Sequence, residues 1–406
     1  MAGVSLATAS DVMREIVLPL SREQLNNMTP TLQYIERNSE RVDGDEIKLQ
    51  LHTGRNTGVG MRKEGDTIPA AGKQGYKKMS VPMRTLVARG STTVQAMNAI
   101  RGNATIDGPV GMTEMERLVT DIGRDMNRQA WGTSDGKLAT CGTTSAANLI
   151  VLDTTTPASA MNQFFVGMAV DIGTLDDPTA VCGNRLISAI DNTAGAPKIT
   201  ISGGAVSTTS SHFVFRQGNG GSGSNQREFT GIPSMVASTG SIYGIDPASY
   251  PYWASTYSTA GGNRTPTDAI LRNAINEVDI ASGDPIDIIF VRHGVEAAYA
   301  GSLTGIKRFN DTVDLRGGYR ALTVSSADRD VPLVRDRDVP NNKAYGLNLS
   351  HIYRAEWSNG LEYLEDGSVW RVIPDQLGYE FVTFAICEFF VDKRSCHFVA
   401  DKLSEA

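Results

Sequence analysis

Apolar residues recur at steps of three and four over residues 113–132, TEMERLVTDIGRDMNRQAWG, which predicts a long amphipathic helix. Its apolar face consists of Met115, Leu118, Val119, Ile122 and Met126. Thr113 and Glu116 have the spacing of a capping box, so we expect the helix to begin there. Gly132 is a common residue type at a helix end, so we expect the helix to stop there.

A second helical pattern covers residues 265–279, where Thr267 has the residue type of an N-cap. Its apolar face consists of Ile270, Leu271, Ala274, Ile275 and Val278. The run IDIIFV at 286–291 predicts a buried strand, and residues 293–303 predict a further helix. The order helix, strand, helix is typical of a layered α/β or α+β domain.

Alternation at every second position predicts strands elsewhere. In residues 45–95, Ile47, Leu49 and Leu51 alternate with polar residues, and a glycine-rich segment separates them from a second extended run. Pro82 in that second run favours an exposed or edge strand. A hairpin of this length has too little apolar surface to be stable alone, so we interpret it as an arm that contacts a neighbouring molecule.

Residues 142–217 contain short β-branched runs separated by turn residues, which favours a small antiparallel barrel or sandwich. Residues 133–141 and the sequence GNGGSGS at 218–224 are predicted linkers on either side of it. A β module between linkers, directly after a long helix, has the organisation of a domain insertion. Residues 1–44 predict a short helix near Val12–Val17 within a poorly apolar arm, and the aromatic C-terminal run predicts a pair of core strands.

The charge of the chain is uneven. The total is −7 over 406 residues, yet residues 45–90 carry nine Lys/Arg against four Asp/Glu, a local net charge of +5 that leaves −12 for the remainder. An acidic chain is not a general nucleic-acid binder, because phosphate binding requires clustered Lys and Arg. Opposite charges on different parts of one chain favour association between copies.

The sequence contains no recognisable motif for catalysis or metal binding. The five histidines are scattered, GNGGSGS lacks the lysine of a phosphate-binding loop, and no nucleophile elbow occurs. We therefore predict a non-enzymatic protein without a cofactor or a metal. The four cysteines lack paired spacing and are predicted to be free thiols. Neither a signal peptide nor a membrane-spanning apolar run is predicted, so we expect cytosolic synthesis.

The segment ADRDVPLVRDRDVP at 327–340 alternates acidic and basic residues. Such carboxylates could suggest metal binding or acid/base chemistry, but interleaved arginines favour a surface or interface ion-pair network.

The order and local character of these segments resemble the major capsid proteins of tailed bacteriophages, which have the Hong Kong 97-type fold. The stretches HTGRNTGVGMRKEGDTIPAAGKQGY, TEMERLVTDIGRDMNRQAWG, TPTDAILRNAINEV and FVTFAICEFFVDKRSCHFVADKL carry the resemblance. It implies an α+β fold with a long spine helix, an extended β-hairpin loop and an axial α/β domain. The inserted all-β domain departs from the minimal form of that fold.

The resemblance implies seven segments: 1–44, an N-terminal arm; 45–95, the extended loop; 96–141, a peripheral domain with the spine helix; 142–224, the inserted domain; 225–264, a connection; 265–355, the axial domain; and 356–406, the return to the peripheral domain. Copies are expected to assemble as hexamers and pentamers into the icosahedral shell of a virion, in the host cytoplasm. The expected partners are scaffold and portal proteins, enclosed double-stranded DNA bound without sequence specificity, and a decoration protein, with no membrane.

Exposed charged residues of the loop, the spine helix and the 327–340 segment are our candidates for contacts between subunits. They are Arg55, Arg62, Lys63, Glu64, Lys73, Lys77, Lys78, Arg124, Arg128, Arg335, Asp336, Arg337 and Asp338. Two other function classes fit parts of the sequence. An encapsulin-type nanocompartment would share the fold but need an encoded cargo. A carbohydrate-binding or tail-fibre module would explain the Thr/Ser/Gly-rich strands but not the two strong amphipathic helices.

Overall fold

A computed structural model describes residues 28–38, 46–95, 110–153, 161, 163–193, 197–303, 313–314, 320–325, 329–357, 360–364, 368–374 and 376–405. The predicted short helix near Val12–Val17 lies outside these residues. The described chain mixes helices and strands, as expected for the α+β class. Its α-helices are α1 (Pro30–Tyr34), α2 (Val110–Ala130), α3 (Ile232–Met235), α4 (Asp268–Ser282) and α5 (His293–Leu303).

Strands make up most of the regular structure. In chain order they are β1 (Glu36–Asn38), β2 (Glu46–Gly54), β3 (Gly75–Pro82), β4 (Arg84–Thr93), β5 (Lys137–Thr140), β6 (Thr144–Ala147), β7 (Leu149–Val151), β8 (Ala169–Gly173), β9 (Cys182–Asp191), β10 (Lys198–Ile201), β11 (Val206–Thr208), β12 (Phe213–Arg216), β13 (Thr256–Ser258), β14 (Ile288–Val291), β15 (Val313–Asp314), β16 (Arg320–Ser325), β17 (Asp330–Arg335), β18 (Ala344–Leu347), β19 (Ile352–Glu356), β20 (Glu362–Tyr363), β21 (Arg371–Val372), β22 (Gly378–Val391) and β23 (Phe398–Ala400).

The chain divides into two compact units. The smaller comprises Met1–Met28, Val87–Arg124 and Leu361–Phe384, and the larger comprises Thr29–Leu86, Asp125–Gly360 and Ala385–Ala406. In the smaller unit, β4, β20 and β21 pair with β22. Gly90 is required there, because a Cβ atom at this position would lie 2.4 Å from the ring of Phe381.

Helix α2 differs from its prediction at both ends. It begins at Val110 rather than Thr113, so Thr113 lies inside the helix and the predicted capping box is wrong. It ends at Ala130, two residues before the predicted glycine. Ile122 and Met126 are buried as predicted, but Val119 is 37% exposed. The last turns bury polar side chains as well, which the apolar spacing does not predict.

A mixed seven-stranded sheet, ordered β13-β23-β18-β14-β17-β16-β15, lies in the larger unit. The predicted apolar face of α4 packs in the same core as Val295 and Tyr299 of α5, which confirms the helix, strand, helix order. Thr267 occupies the N-cap of α4, but its side chain makes no capping hydrogen bond. Strand β13 comes from the predicted connection and β23 from the predicted return segment, so this sheet includes residues beyond 265–355.

The described residues between 137 and 216 form a small closed barrel. Its antiparallel strands follow the order β5-β12-β8-β9-β10-β7, and a bridge between Cys141 and Leu152 joins the two ends. The Gly142 N–H donates to the Val151 carbonyl at 2.8 Å across this closure. The barrel has its own apolar core. The prediction that 133–141 is a linker is wrong, because Lys137–Thr140 pairs with β12, which is distant in sequence. All four cysteines are buried free thiols, as predicted.

His397 is fully buried in the larger unit, and its Nδ1 accepts a hydrogen bond from the Asn348 N–H at 3.1 Å. Burial, aided by His351, lowers the pKa of His397 from 6.5 to about 3. The unfolded chain therefore takes up a proton at a higher pH than the folded chain does. We predict that the free energy of unfolding falls as the pH decreases from 6.5 towards 3. A His397→Gln variant should show a weaker fall in urea unfolding over that range, and an unchanged slope would contradict the assignment.

Candidate functional site

The hairpin of β2 and β3 lies in the larger unit and carries a largely exposed tip. The two strands pair antiparallel from Glu46 opposite Pro82 to Gly54 opposite Gly75, and they form a sheet of their own. Pro82 is the last residue of β3, which is an edge strand of this two-stranded sheet. This agrees with the prediction that proline favours an exposed or edge strand. The extended run after it starts a separate strand, β4, which pairs with β22.

One face of the hairpin anchors it. Ile47, Met79 and Val81 are fully buried in a cluster that includes Trp253 and Phe390. The other face carries the exposed side chains of β2 and β3, among them Lys48, Gln50 and Lys78. The alternation predicted from the sequence is therefore confirmed: the apolar positions of β2 face the core and the polar positions face outward.

The tip of the hairpin, residues 55–74, projects beyond this anchor and has a defined backbone. Asp66 Oδ2 accepts a hydrogen bond from the Lys63 N–H at 3.0 Å, and Gly65 between them has a φ of 83°. The Arg62 Nε donates to the Thr67 carbonyl at 3.0 Å. The two limbs approach at Gly72, where a Cβ atom would lie 2.1 Å from Asn56 Oδ1. These contacts shape the tip without any apolar core.

Three aliphatic side chains of the tip, Val59, Met61 and Ile68, are 86%, 97% and 82% exposed. We call these three residues the apolar knob. We predicted contacts from the charged residues of the loop and did not predict the knob. Its signal was available, since large aliphatic residues without helical or strand periodicity in a polar loop have no core to enter.

The predicted contact residues of the hairpin are mostly exposed. Those with exposed side chains are Arg55, Arg62, Lys63, Glu64, Lys73 and Lys78. Lys77 is half-buried and lies opposite Leu51 on the anchored face. Arg124 is half-buried in the smaller unit, and Arg335 on β17 is exposed with Glu296 at 3.9 Å.

Asp336 and Asp338 have partners inside the chain. Asp336 is 1% exposed and accepts a hydrogen bond from the Thr31 hydroxyl at 2.6 Å. The Asn127 amide donates to Asp336 and, at 2.8 Å, to Asp338. Burial and the charge of Asp336 raise the pKa of Asp338. The predicted surface network is therefore wrong for Asp336, because this buried carboxylate joins α1 to the end of α2. Arg337 lies beside Asp338, with 3.4 Å between Nε and Oδ1.

Arg128 also has partners inside the larger unit. It contacts Asp125 at 3.0 Å and the buried Glu228 at 2.5 Å. Arg216 approaches Asp125 from β12 at 3.1 Å. Burial by itself raises the pKa of Asp125, but the charges of Arg128 and Arg216 lower it by more. The net shift is downward, so the carboxylate is held ionised. The sequence could not reveal Glu228 as a partner, because it follows Arg128 by a hundred residues.

This arrangement makes Arg128 a stabilising residue of the single chain. We predict that Arg128→Met lowers the free energy of unfolding by about 3 kcal/mol, because it leaves the buried Glu228 without its cation and Asp125 with Arg216 alone. Arg335→Met is the matched control, and an exposed pair of this kind contributes only about 0.5 kcal/mol. Urea denaturation of the unassembled protein measures both. Equal, small losses would mean that Arg128 is not buried against Glu228.

Comparison with solved structures relates this architecture to known folds. The chain matches the capsid of cyanophage A-1(L) with a TM-score of 0.59 and 14% identity, over 99% of this chain and 100% of that chain. The chain has the tailed-phage capsid fold. The chain also matches the capsid protein of a native GTA particle with a TM-score of 0.53 and 9% identity, over 100% of both chains.

The capsid fold is shared by a further class of shell. The holo-SrpI encapsulin from Synechococcus elongatus matches with a TM-score of 0.53 and 10% identity, over 100% of this chain and 97% of that chain. No protein-family model and no curated protein sequence matches the chain. Among the described residues, no helix is both long and apolar enough to cross a membrane.

Proposed function

We propose that this chain is a structural major capsid protein that assembles, without catalysis, into an icosahedral phage head. The observation that carries the proposal is the match to the cyanophage capsid over the whole length of both chains. The match covers 99% of this chain, so it does not depend on one common motif. In Hong Kong 97-type terms, α2 is the spine helix, β2–β3 is the extended loop, the mixed sheet is the axial domain, and the barrel is an insertion.

The hairpin tip is the proposed contact with a neighbouring copy. Its exposed residues combine the apolar knob with Arg55, Arg62, Lys63 and Lys73, which we call the basic rim, while the chain outside residues 45–90 has a net charge of −12. A central apolar anchor with a charged rim is the usual composition of a protein interface. Arg128, Asp336 and Asp338 have buried partners in their own chain and are weaker candidates for this role.

Enclosed double-stranded DNA, scaffold and portal proteins, and a decoration protein are the further partners that we propose for the shell. A net charge of −7 on each copy favours enclosure of DNA without tight or sequence-specific binding. Hexamers and pentamers related by local symmetry would repeat many modest contacts, which gives the shell its stability.

Electron microscopy tests the proposal directly. The chain, expressed with its neighbouring phage genes, should yield closed icosahedral particles in negative stain. DNA recovered from particles after nuclease treatment should be double-stranded. A protein that stays monomeric under every assembly condition, scaffold included, would reject the shell function.

The alternative is an encapsulin-type nanocompartment, which the match to the Synechococcus elongatus complex favours. Mass spectrometry of purified particles separates the two. Nuclease-protected DNA supports the phage head, whereas a co-purifying cargo protein in particles without DNA supports the nanocompartment.

A further inference from the structure

A buried ion pair lies at the base of the hairpin. Arg84 is the first residue of β4, two positions after the last residue of β3. Its Nη1 donates to Glu388 Oε2 and, at 3.3 Å, to the hydroxyl of Thr230. The Arg84 side chain is 15% exposed and that of Glu388 is 0% exposed. The pair therefore joins the end of the hairpin to strand β22.

Glu388 keeps other partners when Arg84 is absent. Its Oε1 accepts hydrogen bonds from the Thr230 N–H at 2.6 Å and the Phe389 N–H at 3.1 Å. In the part of the chain that the structure describes, the titratable or charged groups that face it are Arg84 from β4 and Tyr243, whose pKa is raised by burial and by Glu388 itself. The residue opposite on β19 is the apolar Ala355. Arg84 thus supplies the positive charge against this carboxylate, while Thr230 and Phe389 hold it in place.

The two members of the pair respond differently to separation. Arg84 has a route to water, because part of its side chain is exposed and its second hydrogen bond is long. Glu388 is enclosed and must either keep its counter-charge or become neutral. Burial raises the pKa of Glu388 to about 7, although Arg84 lowers it. The pKa is therefore higher when Arg84 has moved away, and proton uptake favours the separated state as the pH falls through this range.

We propose that Arg84 and Glu388 form a proton-sensitive latch that fastens the base of the hairpin to β22 and loosens when Glu388 binds a proton. The latch lies within the larger unit, so it acts in a single chain and does not depend on shell assembly. When the latch is closed, the strand exit at Met83–Leu86 is held against β22. When it is open, Arg84 is solvated. The backbone amides at the hairpin base then exchange their hydrogens faster, and this part of the chain moves more freely.

Hydrogen exchange of the unassembled full-length chain tests the latch. After correction for the intrinsic exchange rate, we expect residues 79–86 to exchange roughly tenfold faster at about pH 5.5 than at about pH 8. In Glu388→Gln, the same amides should exchange fast at both pH values, because the substitution removes the negative charge of the side chain and keeps its shape. Glu380→Gln, which removes the exposed pair with Arg89 on the same strand, is the matched control and should keep the wild-type pH response.

Wild-type exchange that does not change with pH would overturn the latch, and this outcome does not require any variant to fold. Glu388→Gln that remains as protected as the wild type at high pH would also overturn it. Circular dichroism of each variant at high pH checks that the variant is folded, so that a change in exchange reflects local opening of the hairpin base and not global unfolding.

Discussion

Replacing residues 55–74 with the dipeptide Asn-Gly is expected to abolish particle formation and to leave the single chain folded. The replacement removes the apolar knob and the basic rim but retains β2 and β3, whose last opposed pair is Gly54 and Gly75. Asn-Gly is the preferred two-residue hairpin turn, so the shortened hairpin can close. Its buried anchor, which includes Ile47 and Met79, is untouched. Size-exclusion chromatography and negative-stain microscopy measure assembly, and thermal denaturation measures folding.

Two matched triple variants separate the knob from the rim. Val59→Ser with Met61→Ser and Ile68→Ser should prevent assembly at every salt concentration, because burial of the knob provides the apolar contact energy. Arg62→Gln with Lys63→Gln and Lys73→Gln should slow assembly only at low salt, where exposed charges are weakly screened. Normal particles from the Asn-Gly variant would show that the hairpin tip is not the contact between copies.

Arg394→Met is expected to lower the free energy of unfolding by about 4 kcal/mol or more. Arg394 is 1% exposed, and its guanidinium donates to backbone carbonyls instead of a carboxylate. The acceptors are the carbonyls of Ser234, Met235, Thr239 and Gly240, at 2.9 to 3.2 Å. Burial lowers its pKa to about 10, so it stays charged near neutral pH. Methionine fills part of the volume but removes the donor from the buried carbonyl of Met235 and from the partly buried bonds to Ser234, Thr239 and Gly240. Each lost hydrogen bond costs about 1 kcal/mol or more.

The adjacent Lys393→Met is the matched control. Lys393 contacts the carboxylate of Asp284 and the Ser282 carbonyl, and its side chain is 37% exposed. The expected loss is therefore below about 1 kcal/mol. Urea midpoints of the unassembled variants give both values. Similar losses for the two substitutions would mean that Arg394 does not organise the 234–240 segment.

Local pattern was sufficient to predict the elements that bury one face. The apolar residues of α4, the run that forms β14 and the alternation of β2 each match the burial in the structure. These elements bury a stripe or a face whose period is visible within a dozen residues. Short strands were less predictable. Strand β5 has four residues and was read as a linker, because its pairing partner, β12, lies about seventy residues away in the chain.

The candidate site likewise has a part that the sequence predicts and a part that it does not. The exposed, basic character of the hairpin could be read from its composition. The buried positions of Arg84, Arg128, Asp336 and Arg394 could not, since an isolated charged residue in a sequence is ordinarily on the surface. Each is buried because a distant part of the chain supplies a counter-charge, hydrogen-bond donors or a set of carbonyls. Glu388 supplies the counter-charge for Arg84 across three hundred residues.

The sequence by itself determined the order of the segments, the two strong amphipathic helices, the anchored hairpin and the β-rich character of residues 142–217. Hydrophobic periodicity encodes these features locally, and their order carries the resemblance to capsid proteins. Only the tertiary structure decided that β7 and β5 close a barrel, that β23 enters the mixed sheet, and which charges are internal. Those features depend on contacts between residues far apart in the chain, whose free energy exists only once the fold has brought them together.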